Sequence, residues 1–551
     1  MADISTYDFV IIGSGFGGSV SAMRLTEKGY KVLVLERGKR FLDQDYPRTN
    51  WNIFKYLWAP FIRCFGILQL SLFNGFFVFH SSGVGGGSLV YAGVLMEPDD
   101  SFFDAKNWRH FGNWRSILAP HYATARHMLG VTRNPSLWAA DEALRVVSDE
   151  LGFGDTFQAT DVGVFFNEDS QEVSDPYFDG QGPPRAGCNH CGGCMVGCRY
   201  NSKNTLVKNY LFFAEKWGAE VRGEAIVKDI QPLPGGQPDG ARYEVVYQSS
   251  TNWFWKPKHR IRARNVILSA GVLGTNDLLL KCREESNSLP DISSRLGETV
   301  RTNSEAFLGG FNRKEVVDHS KGLAITSIFQ ADKTTRVEPV RFSDGSSLIF
   351  WLVSAPFYKP RGEILKRLGI FLLEILKQPG TFFRMKFKPG LTRRGTALMV
   401  MQTENNLMRL VSGRSLMTLF RRGLVAEHDL EHTVPVNTTL GHEVAQIFAR
   451  EIKGEPVGTI LEALFNVPMT AHMLGGCMFG RDANEGVVDL DCQVFNYPGL
   501  YVVDGSIVPA NPGINPSLTI TAMAEYAMSR IPPKPGAKTR QPLSPPSAFH
   551  D

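Results

Sequence analysis

With 551 residues, 43% of them hydrophobic, the chain is long enough to bury a large core, either as several domains or as one composite unit. A formal net charge of +4, from 59 basic and 55 acidic residues, gives a nucleic-acid partner no support in the overall balance. The opening MADISTYDFVIIGSG enters an apolar strand without the basic start, apolar run and small-residue cleavage site of a signal peptide. The expected location is therefore cytoplasmic, where eight cysteines serve metal, redox or packing roles rather than a disulfide framework.

YDFVIIGSGFGGSVSAMRLTEKGYKVLVLERG (7–38) predicts a βαβ unit: a strand buried on both faces, a glycine turn, a helix, and a second apolar strand ending in an acid. Gly13, Gly15 and Gly18 fill a G-x-G-x-x-G pattern, which lets bare backbone approach a pyrophosphate at the positive end of the helix. Glu36 closes the second strand, where its carboxylate suits the two ribose hydroxyls of an adenosine and disfavours a 2′-phosphate. CFGILQLSLFNGFFVF (64–79) is too short and too interrupted by Gln69, Ser71, Asn74 and glycine to span a membrane, so it is expected to be buried in the protein.

CNHCGGCMVGC (188–198) sets Cys188, Cys191, Cys194 and Cys198 at the C-x2-C-x2-C-x3-C spacing by which bacterial ferredoxins hold a [4Fe–4S] cluster. Zinc, thiol pairs and plain packing stay open beside the cluster, because no proline follows the last cysteine. The segment that follows, 199–221, reads as a loop, a helix and a strand. Residues 356–394 carry ten Lys or Arg against two Glu and include ILKRLGIFLLEIL, an amphipathic helix. That segment suits either docking among acidic lipid headgroups, at the inner membrane surface, or packing on the body of the protein with a solvated basic face. HDLEH (428–432) matches a zinc-protease pattern, but Pro435 argues against the helix that pattern needs. The last residues, 531–551, hold six prolines and are expected to be disordered.

The opening unit, SSGVGGGSLVYAGVLMEPDD (81–100), NVILSAGVLGTNDLLL (265–280) and HMLGGCMFG with PGLYVVDGSIVPANPGINPSLTITAMAEYAMSRI (472–531) together resemble the glucose-methanol-choline (GMC) oxidoreductases, and within them the bacterial cholesterol oxidase type. The resemblance implies an α/β fold: a Rossmann-like FAD-binding domain assembled from residues 1–45, 80–100, 185–300 and 466–530. A substrate-binding cap from 46–79, 101–184 and 301–465 would contain an antiparallel sheet. It also implies FAD as cofactor, with Gly83, Gly85, Gly86, Gly87 and Ser88 set against it and with Asp504 and Gly505 at its ribityl and phosphate end. Val90 and Tyr91 stand where covalently flavinylated members carry a histidine, so FAD is expected to be non-covalent. His472 and Asn515 resemble the family's active-site pair, base and hydroxyl anchor, although Met473 replaces the proline that commonly follows the histidine. The implied reaction is oxidation of a hydrophobic secondary alcohol, a 3β-hydroxysteroid such as cholesterol, with oxygen or another acceptor reoxidising the flavin. Other readings are a lipid or terpenoid alcohol dehydrogenase that passes electrons through an iron–sulfur cluster, and a non-enzymatic flavin-binding lipid or electron-transfer module. For the steroid Δ5 isomerisation that accompanies such oxidation, Glu338 and Asp344 are the candidate carboxyls.

Overall fold

The computed structural model describes residues 5–312, 314, 317–358, 363–387, 389–403, 406–428, 439–541 and 543, which are built around two seven-stranded sheets. The first strand, Thr6–Ile12, is apolar on both faces because it lies inside the first sheet. It pairs in parallel with Val32–Leu35 on one side and with His259–Leu268 on the other. Glu220–Arg222 extends the sheet past Val32–Leu35, and Leu500–Val502 runs parallel to the end of His259–Leu268. Tyr243–Ser249 and Ala225–Pro232 add an antiparallel flap. The Rossmann-like sheet is thus assembled from segments scattered along the whole chain, as the resemblance implies.

The helix Phe16–Glu27 is buried along its full length, packed by the helices Tyr210–Lys216 and Ser517–Ser529. A buried ion cluster fixes this sandwich: Arg24 donates to Glu525 at 2.8 and 3.0 Å and to Glu27 at 2.6 Å, while the Tyr210 hydroxyl donates to Glu525 at 2.7 Å. One guanidinium serves two buried carboxylates, so its removal would leave both without their counter-charge and strongly destabilise the sandwich.

The second sheet is antiparallel, in the order Ser354–Pro356, Gly454–Thr459, Ala306–Asn312, Gly395–Gln402, Thr335–Val340, Ser327–Gln330 and Gln158–Ala159. Alternation divides its faces. Leu308, Val400 and Val337 pack with residues of the helices Ala139–Glu150 and Thr439–Glu451, whereas Phe307 and Met399 face the opposite way, into a cavity between this sheet and the first.

The apolar stretch 64–79 folds into the hairpin Leu68–Phe73 and Phe76–Ser81, with Met469–Thr470 as a third, parallel strand. Residues 199–221 give the expected loop, helix and strand. One expectation changes. Residues 531–541 are ordered: Lys534 N–H donates to Lys28 O, Arg540 N–H to Glu27 O, and the Lys534 ammonium sits 2.6 Å from Asp8. Proline removes N–H donors but leaves carbonyls free, and Tyr30 hydroxyl and Lys28 ammonium take up those of Pro532 and Ile531. The zinc-protease pattern also finds no helix at its start, since His428 ends the strand Arg422–His428, paired with Met408–Arg414; residues 429–432 lie outside the described residues. No helix among the described residues is long and apolar enough to cross a membrane.

Candidate active site

One cavity of about 870 Å³ runs from the glycine turn after the first strand to the inner face of the second sheet. The N-termini of three helices open onto it: Phe16–Glu27 at Gly15, Gly271–Glu284 at Gly271, and Ser517–Ser529 at Pro516. The first and third have neither a capping side chain nor an acid in the first turn, so their amides and dipoles are left for an anionic ligand.

The glycines divide by what surrounds them. A Cβ at Gly13 would lie 2.2 Å from Ser269 O, one at Gly18 would lie 2.1 Å from Gly13 O, and one at Gly86 would lie 2.5 Å from the Gly15 Cα. A Cβ at Gly15 would meet nothing within 4 Å, because that position faces the cavity. This is a cradle closed by backbone on its outside and open on its inside, and it fits the pyrophosphate of a dinucleotide. Gly13, Gly15, Gly86, Gly87, Asp504 and Gly505 line the cavity. Gly18, Gly83, Gly85 and Ser88 stand behind it; Ser88 Oγ donates to Gly85 O at 2.7 Å and accepts the Leu206 N–H at 3.0 Å, shaping the second glycine run.

Glu36 lines the cavity and also ties the two glycine runs together. Its carboxylate accepts the Ser14 N–H and hydroxyl at 3.1 and 2.8 Å, the Gly38 N–H at 2.8 Å and the Gly83 N–H at 3.4 Å. Asp504 likewise holds two turns: it accepts the Gly271 N–H at 2.9 Å, the Thr275 hydroxyl at 2.6 Å and the Ser506 N–H at 2.8 Å. Burial raises its carboxyl above the ordinary aspartate range.

His472 follows the short strand Met469–Thr470, whose pairing with Phe77 and Val78 fixes where the next residues emerge. Its Nδ1 contacts the Glu305 carboxylate and lies 3.2 Å from the Asn303 amide. Glu305 is buried, and its second oxygen accepts the Ala471 N–H at 2.8 Å. A proton held on Nδ1 beside the Glu305 carboxylate would leave the Nε2 lone pair for the cavity that His472 lines. Asn303 also donates to Ile514 O at 2.9 Å, which couples the histidine to the loop carrying Asn515. Asn515 lines the cavity, and its carbonyl oxygen is buried without a donor among the described residues. Sequence reasoning missed Glu305 and Asn303. They belong to a buried polar run, Arg301–Glu305, that carries no periodic or motif signal.

The two isomerisation candidates separate cleanly. Glu338 is fully buried, and it shares a cross-strand row with Met399 and Phe307, both of which line the cavity. It lies beside the Asn515 amide, and burial pushes its carboxyl up to about 8. Asp344 is exposed and away from the cavity.

The four clustered cysteines do not fit a metal cluster. Among the described residues no three Cys, His, Asp or Glu side chains converge as a metal-holding group. All four thiols are free: Cys188 accepts the His190 N–H, Cys198 accepts the Lys203 N–H, and Cys194 packs with Val162, Val164 and Leu323, with Cys188 against the same cluster. Burial pushes Cys191 up to about 11 and raises Cys188 and Cys194 as well, with neighbouring thiols of the run adding to the rise.

Comparison with known proteins agrees with this geometry. Residues 433–524 match the GMC oxidoreductase family and residues 11–42 the NAD(P)-binding Rossmann-like domain. The chain is 42% identical over 534 residues to a cholesterol oxidase of Acinetobacter baumannii, covering 96% of this chain and 95% of that one. It is 41% identical over 549 residues to a cholesterol oxidase of Mycobacterium tuberculosis, covering 98% and 93%. Among solved structures, pyridoxine 4-oxidase from Mesorbium loti superposes with a TM-score of 0.58 at 16% identity, over 95% of this chain and 98% of that one, and so supports the fold alone. Full-length identity above 40% to two cholesterol oxidases, on a scaffold with the GMC signature, makes this chain a member of the cholesterol oxidase family of GMC oxidoreductases.

Proposed function

We propose that the chain oxidises a 3β-hydroxysteroid such as cholesterol to its ketone, with non-covalent FAD as the hydride acceptor and oxygen as the final acceptor. The observation that carries this reading is His472, backed by Glu305, on the wall of an apolar cavity that continues from the glycine cradle. When bound, FAD supplies the two-electron chemistry; Gly13, Gly15, Gly86 and Gly87 would hold it. The chain's own work is proton handling and positioning. His472 Nε2 takes the hydroxyl proton, Glu305 stabilises the imidazolium that forms, and the Asn515 amide fixes the oxygen. Val78, Phe79, Phe307, Ile349 and Met399 exclude water and hold a flat apolar substrate. A Δ5 isomerisation would use Glu338, which as a carboxylate takes a proton beside the new ketone and returns it farther along the ring.

The membrane contact expected of 356–394 belongs to this reading. In the helix Ile364–Lys377 only Phe371 is buried, while Leu365, Leu372 and Leu376 are exposed beside Lys366 and Lys377; residues 359–362 and 388 lie outside the described residues. Such a helix suits an enzyme peripheral to a bilayer that holds its substrate, on the cytoplasmic face.

Anaerobic addition of solubilised cholesterol to the purified holoenzyme tests the proposal. Flavin bleaching is expected, slowed about 10²–10⁴-fold in His472→Ala and by at least tenfold in Glu305→Gln, with flavin content retained. An unbleached flavin in the wild type would refute sterol oxidation. An undiminished rate in Glu305→Gln would remove that residue from the proton path.

A further inference from the structure

The loop that delivers Asn515 lacks the means to hold itself in place. Residues 509–516 read PANPGINP, and their three prolines offer no N–H to a backbone ladder. Side chains from other segments pin its carbonyls instead: Pro509 O accepts from Asn107, Gly513 O from Arg336 at 3.2 Å, and Ile514 O from Asn303 at 2.9 Å. Gly513 sits at φ 60°, and a Cβ there would lie 2.2 Å from Thr403 Cγ2, so the turn is closed on that side. Of the three donors Arg336 alone is charged. Its side chain is 11% exposed, and its second terminal nitrogen pairs with Asp99, in the segment that follows the second glycine run.

The strand Thr335–Val340 brings the same guanidinium to Glu338. Alternation puts Arg336 and Glu338 on one face, two residues and about 6.7 Å apart along the strand. Across the sheet they oppose Met401 and Met399. The charged groups that act on Glu338 among the described residues are Arg336, on its own strand, and Glu305, just ahead of the strand Ala306–Asn312. Met399, Phe307 and the Asn515 amide face it without charge. Glu305 makes a carboxylate at Glu338 harder to form, and Arg336 makes it easier.

We propose that Arg336 is a positioning residue for both steps of the reaction: its grip on Gly513 sets the Asn515 amide against the substrate oxygen, and its charge lets Glu338 act as a carboxylate. The two roles separate chemically. The grip needs the forked guanidinium, which reaches Gly513 and Asp99 together, whereas the charge needs only a cation. This inference rests on the sterol reading for its chemistry; the ionisation of Glu338 is observable without a steroid.

The test compares the wild-type holoenzyme with Arg336→Met, Arg336→Lys and Asp99→Asn. Cholest-5-en-3-one supplied directly isolates the isomerisation, whose rate rises with pH as Glu338 ionises. In Arg336→Met the midpoint of that rise should move up by about one pH unit, because a nearby positive charge is gone. Arg336→Lys should keep the wild-type midpoint, and Asp99→Asn should lower it, since Arg336 loses its neutralising partner. The infrared band of the protonated Glu338 carboxyl, identified by its loss in Glu338→Gln, should follow the same midpoints with no steroid present. Flavin bleaching by solubilised cholesterol should slow about tenfold or more in both Arg336→Met and Arg336→Lys, which lack the fork. An unmoved midpoint or an undiminished bleaching rate in Arg336→Met would overturn the proposal. Should that variant fail to fold, the midpoint of Asp99→Asn and the bleaching rate of Arg336→Lys decide in its place. Failure of the sterol reading shows separately, as a wild-type flavin that cholesterol leaves unbleached, and the infrared midpoints then still decide whether Arg336 sets the charge of Glu338.

Discussion

Gly15 and Gly17 stand two positions apart and answer an added methyl group in opposite ways. At Gly17 a Cβ would lie 1.8 Å from Val503 O, on a strand end that cannot move without opening the first sheet. Gly17→Ala is expected to cost about 3 kcal/mol or more, read as a lowered unfolding midpoint. At Gly15 the methyl enters open cavity, so Gly15→Ala should fold with an unchanged midpoint and purify with a reduced flavin-to-protein absorbance ratio. Equal flavin retention in Gly15→Ala and wild type would mean that the pyrophosphate does not lie against that residue. The motif glycines were legible because a fixed spacing reports a fixed turn. Gly17 lies outside the motif, and its importance appears only where the strand end near Val503 crosses it. Glu305 was illegible for a similar reason: its partner His472 is 167 positions away by 472 − 305, and nothing near either residue advertises the pair.

At the scale of elements, the cysteine loop acts as a brace for the flavin loop. Lys203 is buried among protein groups, and its ammonium donates to Leu89 O at 3.0 Å, Tyr91 O at 3.3 Å and Cys194 O at 2.6 Å. It staples the end of the second glycine run to residues 188–198. Burial pulls Lys203 down to about 8, opposed by the nearby thiols of Cys194 and Cys198. Lys203→Met strands three buried carbonyls, and we expect about 3 kcal/mol or more of lost stability together with weakened flavin retention. Cys188→Ser and Cys191→Ser should keep flavin and turnover, and iron and acid-labile sulfide should be absent from the wild type. Stoichiometric iron would contradict the geometry. The cysteine spacing was conspicuous in the sequence, but spacing states only what a loop could ligate. Backbone N–H donors and apolar neighbours decide where each sulfur points.

For the whole molecule, buried acids set the response to pH. Burial pushes both Glu338 and Glu462 up to about 8, from an ordinary glutamate value near 4.5. Between these limits the folded chain holds protons that the unfolded chain has released. Their contribution to stability therefore falls as pH rises from 4.5 to 8, by up to about 1.4 kcal/mol per pH unit for each acid; the buried His80 and His319, held down at about 3 and 4, oppose it below 6.5, so the net fall lies between 6.5 and 8. Glu462 accepts the Phe307 N–H at 3.3 Å without lining the cavity, so Glu462→Gln should flatten this slope while leaving sterol turnover intact. Denaturant melts from pH 5 to pH 9 measure it; an unchanged slope would show that Glu462 is ionised in the folded protein at neutral pH.

Sequence alone determined the βαβ opening and its glycine turn, which follow from hydrophobic period and glycine spacing, and the family, which follows from motif order; the scattered origin of the first sheet was implied by the resemblance to that family. Tertiary structure alone decided that Glu305 holds the Nδ1 side of His472, that Glu338 rather than Asp344 shares the cavity's row, that the cysteines brace rather than ligate, and that residues 531–541 are ordered. Each of these depends on which side chain meets which across long loops. Such meetings are fixed by the packing of two sheets against one cavity, a quantity that no window of neighbouring residues contains.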